Sequence, residues 1–177
     1  MRKVILYSAQ SLDGYIAKKD GNIDWLHDQR LTLEGQDYGY AQFYESIDTV
    51  LQGYSTYKLI EDMGIENPYE GKKNYVFSRK TGLQSNQSTT FTNENPASLV
   101  KKLKVEEGKD IWLIGGGQIN GQLLQEKLID ELILTIIPVV LGEGIRIFDT
   151  SQLENWFRLL SCKSYDNGMV QMHFEAL

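Results

Sequence analysis

Short apolar runs bounded by polar residues recur along the first two thirds of the chain. Runs of this length that are rich in Val, Ile and Leu are typical of strands buried on both faces of a sheet. They predict strands at residues 4–9, 49–51, 74–78 and 111–114. Helical patterns alternate with these strands, at residues 38–47, 55–63 and 96–107. Because strands and helices alternate, we predict an α/β fold in which helices cover a mostly parallel sheet.

The last third of the chain has a different pattern. After a helical segment at residues 123–127 come three strand-like segments, at residues 132–140, 157–165 and 169–175. Asp166-Asn167-Gly168, between the last two, is a strong signal for a tight hairpin. The polar segment 84–95 is typical of an edge strand with loops rather than of a domain boundary. We therefore predict one domain, residues 1–177, whose sheet ends in a C-terminal antiparallel hairpin.

Charge and hydropathy exclude two classes of partner. The chain has 177 residues and a formal net charge of −6. A negative surface repels phosphate backbones, so we expect no nucleic-acid partner. The longest apolar run, residues 132–141, is interrupted by Thr135 and Pro138 and falls short of the roughly 20 residues that a membrane span needs. We therefore expect no membrane partner.

Cysteine and histidine are too rare to build a disulfide or a metal site. Cys162 is the single cysteine, and we expect it to pack within a strand rather than to act as a nucleophile. His27 and His173 are isolated in the sequence, so we predict no metal ligand. A single cysteine without a disulfide partner is typical of a cytoplasmic protein, and we expect that location.

Three consecutive glycines, Gly115, Gly116 and Gly117, connect a predicted buried strand to a predicted helix. Such a turn can bring backbone N–H groups against an anion, and the helix start adds the positive end of its dipole. A tight turn that needs positive φ is the alternative explanation, which accounts for one or two of the glycines. The dinucleotide fingerprint is incomplete because Asn120 replaces its third glycine, and the Lys-Ser/Thr pair of a Walker loop is missing. We therefore predict a nucleotide-shaped cofactor in a different nucleotide-binding fold.

Several short motifs follow one another in an order and spacing that is more specific than any one of them. They are Ser11-Leu12-Asp13-Gly14-Tyr15-Ile16-Ala17, Asp24-Trp25, Gly53-Tyr54-Ser55-Thr56-Tyr57, Val76-Phe77-Ser78-Arg79, the triple glycine, Asp130-Glu131-Leu132 with Leu134-Thr135, and Pro138 with Leu141-Gly142-Glu143-Gly144 and Ile147-Phe148. With these motifs the chain resembles the dihydrofolate reductase superfamily nearly from end to end, and most closely the branch of the RibD C-terminal (riboflavin biosynthesis reductase) domain. The resemblance implies a dihydrofolate reductase-like three-layer α/β/α fold and NADPH-dependent hydride transfer to a small heterocyclic substrate.

The resemblance also implies cofactor-binding positions. For the pyrophosphate they are Gly115, Gly116, Gly117, Gln118 and Ile119, where similar proteins often carry a cis Gly-Gly bond, together with Gly53 and Thr56. For the adenosine 2′-phosphate they are Ser78 and Arg79, and for the nicotinamide Ala9, Ile16 and Ala17. An ordinary solvated turn would also explain Arg79-Lys80. Many relatives have Arg where this chain has Tyr54, so NADPH is the expected cofactor and NADH is the alternative.

The substrate side has two candidate acids. Asp37 and Thr135 match the acid and the partner hydroxyl of dihydrofolate reductases, where a carboxyl group beside the ring helps to protonate its nitrogen. Capping of the 38–47 helix is the alternative role for Asp37. Asp13 is the second acid, although an Asp-Gly pair is also typical of a turn. Trp25 belongs either to a loop over the nicotinamide or to a hydrophobic staple.

Two substrate-binding positions differ from those of a folate reductase. Ala41 stands where that enzyme has an aromatic side chain, and Lys72 stands where it has an arginine fork. The resemblance therefore favours a pyrimidine that carries a ribose phosphate, as in the riboflavin pathway. Dihydrofolate reductase-type activity and a nucleotide-binding module without turnover are the alternatives. Similar proteins often dimerise through their C-terminal strands, and we expect a homodimer.

Overall fold

The computed structural model describes residues 1–65, 68–149 and 154–177. The strands in these ranges are β1 (Val4–Ser11), β2 (Tyr15–Ala17), β3 (Ile47–Gly53), β4 (Lys73–Phe77), β5 (Thr89–Thr92), β6 (Asp110–Gly115), β7 (Glu131–Ile137), β8 (Ile145–Arg146), β9 (Phe157–Ser164) and β10 (Val170–Ala176). The helices are α1 (Tyr40–Ser46), α2 (Tyr54–Asp62), α3 (Pro96–Val105) and α4 (Gly117–Gln125). Two 3₁₀ turns, Asp24–His27 and Gln29–Leu31, lie between β2 and α1.

Most strands join one mixed sheet. Within the described ranges its order is β5-β4-β3-β6-β1-β7-β10-β9. The strands from β5 to β7 in this order are parallel. The last two strands are added antiparallel and form the hairpin at Asp166-Asn167-Gly168. The predicted α/β fold with a mostly parallel sheet and a C-terminal antiparallel hairpin is therefore confirmed.

The two faces of the sheet are covered by different helices. On one face, α3 and α4 pack together over an aliphatic core in which Leu6, Leu113 and Leu123 are fully buried. On the other face, α1 and α2 cover an aromatic cluster around Trp112 and Phe43. Successive residues of a strand point to opposite faces, so each strand contributes to both cores. The result is the predicted three-layer α/β/α arrangement.

Some element ends differ from the prediction because backbone conformation overrides the apolar pattern. α1 begins at Tyr40 rather than at residue 38, because Tyr38 and Gly39 have positive φ angles of 57° and 80°. β7 ends at Ile137 rather than at residue 140, because Pro138 has no N–H to donate to a neighbouring strand. Cys162 lies in β9 but is exposed, so the expectation that it packs is wrong.

The edges of the sheet are occupied by short or exposed strands. The segment 84–95 supplies the edge strand β5, as predicted. At the opposite edge β9 is exposed along nearly its whole length. The β2–β8 pair forms a separate antiparallel ribbon that the sequence pattern did not predict. None of the helices described here is long and apolar enough to cross a membrane.

Candidate cofactor and substrate site

Two glycine-containing turns meet at the carboxyl ends of β3 and β6. Gln52 pairs with Gly115 across these strands, so the turn at Gly53 lies beside the triple glycine. A Cβ placed on Gly53 would lie 3.2 Å from Ile119 Cδ1, and a Cβ placed on Gly116 would lie 3.7 Å from Thr56 Oγ1. The structure thus brings together residues that the resemblance placed around a pyrophosphate.

The three glycines have three different roles. Gly115 has φ of 109° and is joined to Gly116 by a cis peptide bond. A Cβ on Gly117 would overlap the carbonyl oxygen of Arg146, so this position needs glycine for close packing. Gly116 has φ of −76°, which any residue adopts, and only the Thr56 hydroxyl lies within 4 Å of its Cβ position. The tight-turn explanation therefore accounts for Gly115 and close packing accounts for Gly117, while Gly116 leaves open space in front of the Thr56 hydroxyl.

Two helices begin at this turn. α2 starts at Tyr54, directly after Gly53, and α4 starts at Gly117, directly after Gly116. In α4 the amides of Ile119 and Asn120 both donate to the Gly116 carbonyl. The amides of the first residues of a helix have no intrahelical acceptor, and the dipole adds positive charge at the same end. The arrangement can therefore hold a phosphate group between the two helix starts.

Cationic side chains lie at the carboxyl end of the neighbouring strand. Phe77 pairs with Gly53, so Ser78 and Arg79 follow at the same edge of the sheet. Ser78 Oγ accepts a hydrogen bond of 3.0 Å from the Lys80 amide. Lys80 Nζ lies 4.2 Å from the centre of the Tyr54 ring, close enough for a cation–π interaction. The position where many relatives have Arg therefore carries an aromatic ring with a lysine ammonium above it.

The β2–β8 ribbon ties the end of β1 to the start of α4. The Ile147 amide donates to the Gly14 carbonyl, and the Asp149 amide donates to the Gly117 carbonyl. Asn120 Nδ2 donates to the Ile147 carbonyl at 2.9 Å. Asn120, whose presence breaks the dinucleotide fingerprint, thus fixes this ribbon against the glycine turn.

The residues implied for the nicotinamide lie at this end of the sheet. Ala9 is near the carboxyl end of β1, and Ile16 and Ala17 are in β2, where Ala17 is buried. Gln118 follows Gly117 in the first turn of α4 and is exposed. Ile16 and Ala17 belong to the ribbon that the Ile147 and Asp149 amides join to Gly14 and Gly117.

Asp13 binds a neighbouring loop. Its carboxylate accepts hydrogen bonds from the Ser11 hydroxyl at 2.6 Å and from the amides of Leu141 and Gly142 at 3.2 and 2.7 Å. The Ser11 hydrogen bond is the largest of the contributions that lower the pKa of Asp13. Asp13 therefore stabilises the turn after β1 and the neighbouring loop, and its carboxylate is not free to contact a substrate.

Asp37 caps α1. Its exposed carboxylate accepts hydrogen bonds from the amides of Gly39 and Ala41, at 3.0 and 3.1 Å. These two bonds, the Gly39 bond first, lower the pKa of Asp37. A carboxylate with a lowered pKa is a poor proton donor at neutral pH. The structure therefore agrees with the capping role.

Thr135 contacts a glutamine rather than the acid. Gln171 Nε2 donates to Thr135 Oγ1 at 3.2 Å and to the Tyr38 carbonyl at 3.1 Å. Among the described residues, no hydrogen bond joins Asp37 to Thr135. Gln171 was not identified from the sequence, although it is paired with Thr135 across β7 and β10. It connects the buried hydroxyl to the residue that follows Asp37.

Lys72 is bound to the end of α1. Its Nζ donates to the carbonyls of Tyr44 and Ile47 at 2.8 Å each and lies 4.3 Å from the Tyr44 ring centre. Burial is the main reason that the pKa of Lys72 is lowered. The ammonium closes the C-terminal end of α1, and these contacts engage the donors that a substrate anion would need.

The other two substrate-side positions differ in exposure. Ala41 is exposed on α1. Trp25 lies in the first 3₁₀ turn and is half-buried. Its Nε1 is buried and has no hydrogen-bond partner among the described residues, and the same is true of Gln10 Oε1 beside Ala9. Buried polar atoms of this kind favour a bound group that completes their hydrogen bonds.

Comparisons with known proteins show the family and the fold of the chain. A family model described as the RibD C-terminal domain matches residues 2–171. The uncharacterized protein YwjB of Bacillus subtilis is 41% identical over 174 residues, which cover 98% of this chain and 97% of that protein. A structure from Shewanella sp. PV-4, named for riboflavin biosynthesis, superposes with a TM-score of 0.87 and 26% identity over 99% of both chains.

A more distant structure shares the fold. It is the diaminohydroxyphosphoribosylaminopyrimidine deaminase/5-amino-6-(5-phosphoribosylamino)uracil reductase of Thermotoga maritima. The TM-score is 0.73 at 13% identity, over 99% of this chain and 57% of that one.

Proposed function

Because the chain belongs to the RibD C-terminal domain family, we propose that it is an NADPH-dependent reductase of a small heterocyclic substrate. The observation that carries this proposal is the space in front of Gly116, where the Thr56 hydroxyl lies between the starts of α2 and α4. The bare backbone leaves room for a pyrophosphate, and the helix starts supply N–H donors. Arg79 and Lys80 would meet the 2′-phosphate that distinguishes NADPH from NADH.

Bound NADPH would supply a hydride to carbon of a C=N bond and leave as NADP⁺, while the nitrogen takes up a proton. Ala9, Ile16 and Ala17 would border the nicotinamide. Thr135 and Gln171 would orient the ring. The proton would come from solvent rather than from Asp37, whose carboxylate is held by two backbone amides.

For the substrate we propose a pyrimidine similar to the 5-amino-6-(5-phosphoribosylamino)uracil for which the Thermotoga maritima enzyme is named. A folate is less well supported. Ala41 is exposed and offers no aromatic face to a pterin ring. Lys72 donates to two backbone carbonyls, so it is not assigned to the phosphate of the proposed substrate either. A nucleotide-binding module without turnover is the second candidate, and the capping role of Asp37 is the observation in its favour.

Calorimetric titration with NADPH and NADH tests the cofactor. We expect NADPH to bind more tightly than NADH, and Thr56→Val to weaken NADPH binding about tenfold because one hydrogen bond to a charged group is lost. Ser55→Ala, an exposed neighbour in the same helix turn, is the matched control. In the Arg79→Ala/Lys80→Met variant, the affinity for NADPH should fall towards the affinity for NADH, and the affinity for NADH should stay unchanged. Absence of binding by either nucleotide would overturn the proposal.

Turnover separates the two candidates. We expect oxidation of NADPH, followed at its absorbance maximum, when an aminopyrimidine substrate is added. Binding of NADPH without oxidation across a panel of pyrimidines and folates would instead favour the binding module.

For the oligomeric state we propose a homodimer formed through β9. This edge strand exposes Leu159 and Leu160 at 52% and 45%, and Trp156 beside it at 69%. An exposed apolar edge strand is a pairing surface for a second copy. Light scattering should give twice the 20.2 kDa chain mass, and Leu160→Lys should shift the mass to that of one chain. A monomer at micromolar concentration would contradict the dimer.

A further inference from the structure

A cavity lies on the α1/α2 face, beside the end of β3 that leads into the Gly53 turn. Its volume is about 470 Å³, a size that accommodates a nucleoside. The floor is formed by polar residues of β3, β4 and β5, namely Gln52, Asn74 and Thr89. The wall is formed by α2 with Tyr57, and by Tyr69. Neither the proposed reaction nor the cofactor uses these floor residues.

The floor residues form a hydrogen-bonded row across three strands. Gln52 Nε2 donates to Asn74 Oδ1 at 2.9 Å, and Asn74 Nδ2 donates to Thr89 Oγ1 at 3.2 Å. Gln52 is 0% exposed, Asn74 5% and Thr89 8%. Such burial of amides is costly unless their hydrogen bonds are made. Polar side chains at these buried positions therefore indicate a purpose other than packing.

The row is incomplete at its inner end. Gln52 Oε1 is buried and has no hydrogen-bond partner among the described residues. Reversing both amides would exchange the unpaired Oε1 for an unpaired Nε2, so Gln52 keeps one unsatisfied atom in either orientation. A ring with an N–H beside a C=O presents a partner for both amide atoms. The unsatisfied amide therefore points to a ligand with a lactam edge.

Charge and shape narrow the ligand further. The lining residues that the structure describes include no Lys or Arg, and Glu61 is the charged group among them. Glu61 is already bound by Lys58 Nζ at 2.8 Å and by the Tyr57 hydroxyl at 3.3 Å. Lys58 is not among the described lining residues and its ammonium is already bound by Glu61, so a phosphate would find no lining cation, which disfavours charged nucleotides. The rings of Tyr57 and Tyr69 suit a flat ligand.

We propose that this cavity is a binding site for a neutral, nucleoside-sized heterocycle with a lactam edge that pairs with the Gln52 amide. The site is separate from the cofactor cradle, because it opens on the α1/α2 face while the glycine turns lie at the strand ends. The proposal holds whether or not the chain reduces a pyrimidine.

Titration of the ¹⁵N-labelled protein with inosine tests the site. Inosine has an N–H beside a C=O, carries no phosphate and differs from the pyrimidine proposed as substrate. We expect inosine to shift the amide resonances of Asn74 and Thr89. In 1-methylinosine a methyl group replaces the ring N–H, and we expect affinity to fall about tenfold because one hydrogen bond is lost. Inosine 5′-phosphate should bind no more tightly than inosine.

Variants separate this site from the reductase site. Gln52→Met keeps side-chain length but removes the amide, and should weaken inosine binding about tenfold. Gln122→Met, an exposed glutamine on α4, is the matched control. Ile65→Trp places a large ring at an exposed lining position and should also weaken binding, which provides a test if Gln52→Met does not fold.

Four results would overturn the proposal, and three of them concern the cavity itself. They are the absence of shifts at the floor residues, unchanged affinity in both cavity variants, and tighter binding of the 5′-phosphate. Shifts confined to Ala9 and Thr135 would also overturn it, and would leave the proposed function intact. NADPH affinity, measured in parallel, reports on the proposed function independently.

Discussion

The two faces of the sheet solve the same packing problem with different chemistry. Trp112 and Leu113 are neighbours in β6, yet Leu113 enters the aliphatic core under α3 and α4 while Trp112 enters the aromatic cluster under α1 and α2. The core of the aliphatic face consists mainly of Leu, Ile and Val side chains. The aromatic face also contains the Gln52 row and its cavity. The difference indicates that the aliphatic core supports the fold, whereas the aromatic face also leaves room for a ligand beside its core.

Truncation of the aliphatic face should have the largest effect on stability. Leu113 is fully buried, and Leu113→Ala should lower the free energy of unfolding by about 2–5 kcal/mol. NADPH affinity of the folded protein should stay unchanged. Urea denaturation and calorimetry measure the two quantities. Val105→Ala, at an exposed position that ends α3, should change stability by less than about 0.5 kcal/mol and serves as the control. A large change in affinity would contradict the division between the faces.

A conservative change on the aromatic face should cost less. Trp112 Nε1 donates to the Tyr7 carbonyl at 3.1 Å, and its ring lies edge-on to those of Phe43 and Tyr69. Trp112→Phe removes the donor and should lower the free energy of unfolding by about 1–3 kcal/mol. Trp156→Phe, at an exposed position, is the matched control. Equal effects of the two substitutions would show that the cluster does not hold this face together.

The smallest effect concerns the acid at the start of α1 and is a pH dependence. Because the folded pKa of Asp37 is lowered below its usual 3.8, its ionised form stabilises the fold. This contribution is fully present above pH 3.8 and is lost as pH falls through the lower folded pKa. Asp37→Asn should therefore reduce stability at neutral pH. In acid, the variant and the unsubstituted protein should be equally stable.

Thermal unfolding across the acid range measures the Asp37 effect, and Glu34→Gln in the same loop is the control. A proton donor would behave differently. In that case Asp37→Asn would abolish NADPH oxidation without changing the pH dependence of stability. Asp37, beside α1 on the aromatic face, would then be the proton donor of the reaction.

The sequence predicts the strands and helices well where packing dominates. Apolar runs identify β1, β3, β4 and β6 because both faces of these strands are buried. The β2–β8 ribbon was missed because its strands have only three and two residues, which is too short for a periodic pattern. The positive φ of Tyr38 delays the start of α1, and the missing N–H of Pro138 ends β7 early. The apolar pattern contains no information on either property.

For the candidate site, the sequence identifies positions better than partners. Gly116 and Thr56 were predicted to lie together, and their proximity agrees with that prediction. Lys72 matches an anion-binding position in the resemblance, but its partners are carbonyls at the end of α1, which only the three-dimensional structure reveals. Gln171 was missed because a lone polar residue in a strand carries no signal until its register opposite Thr135 is known.

Helix α2 touches both proposed sites. Thr56 in its first turn contributes to the cofactor cradle, and Tyr57, the next residue, contributes to the wall of the cavity. Gln52 in the cavity floor directly precedes Gly53 in the cradle. If a ligand at one site displaces this shared helix, binding at the two sites is coupled by a free energy. By thermodynamic reciprocity this coupling free energy is the same whichever ligand binds first. A heterocycle that changes NADPH affinity by a given factor must have its own affinity changed by NADPH by the same factor.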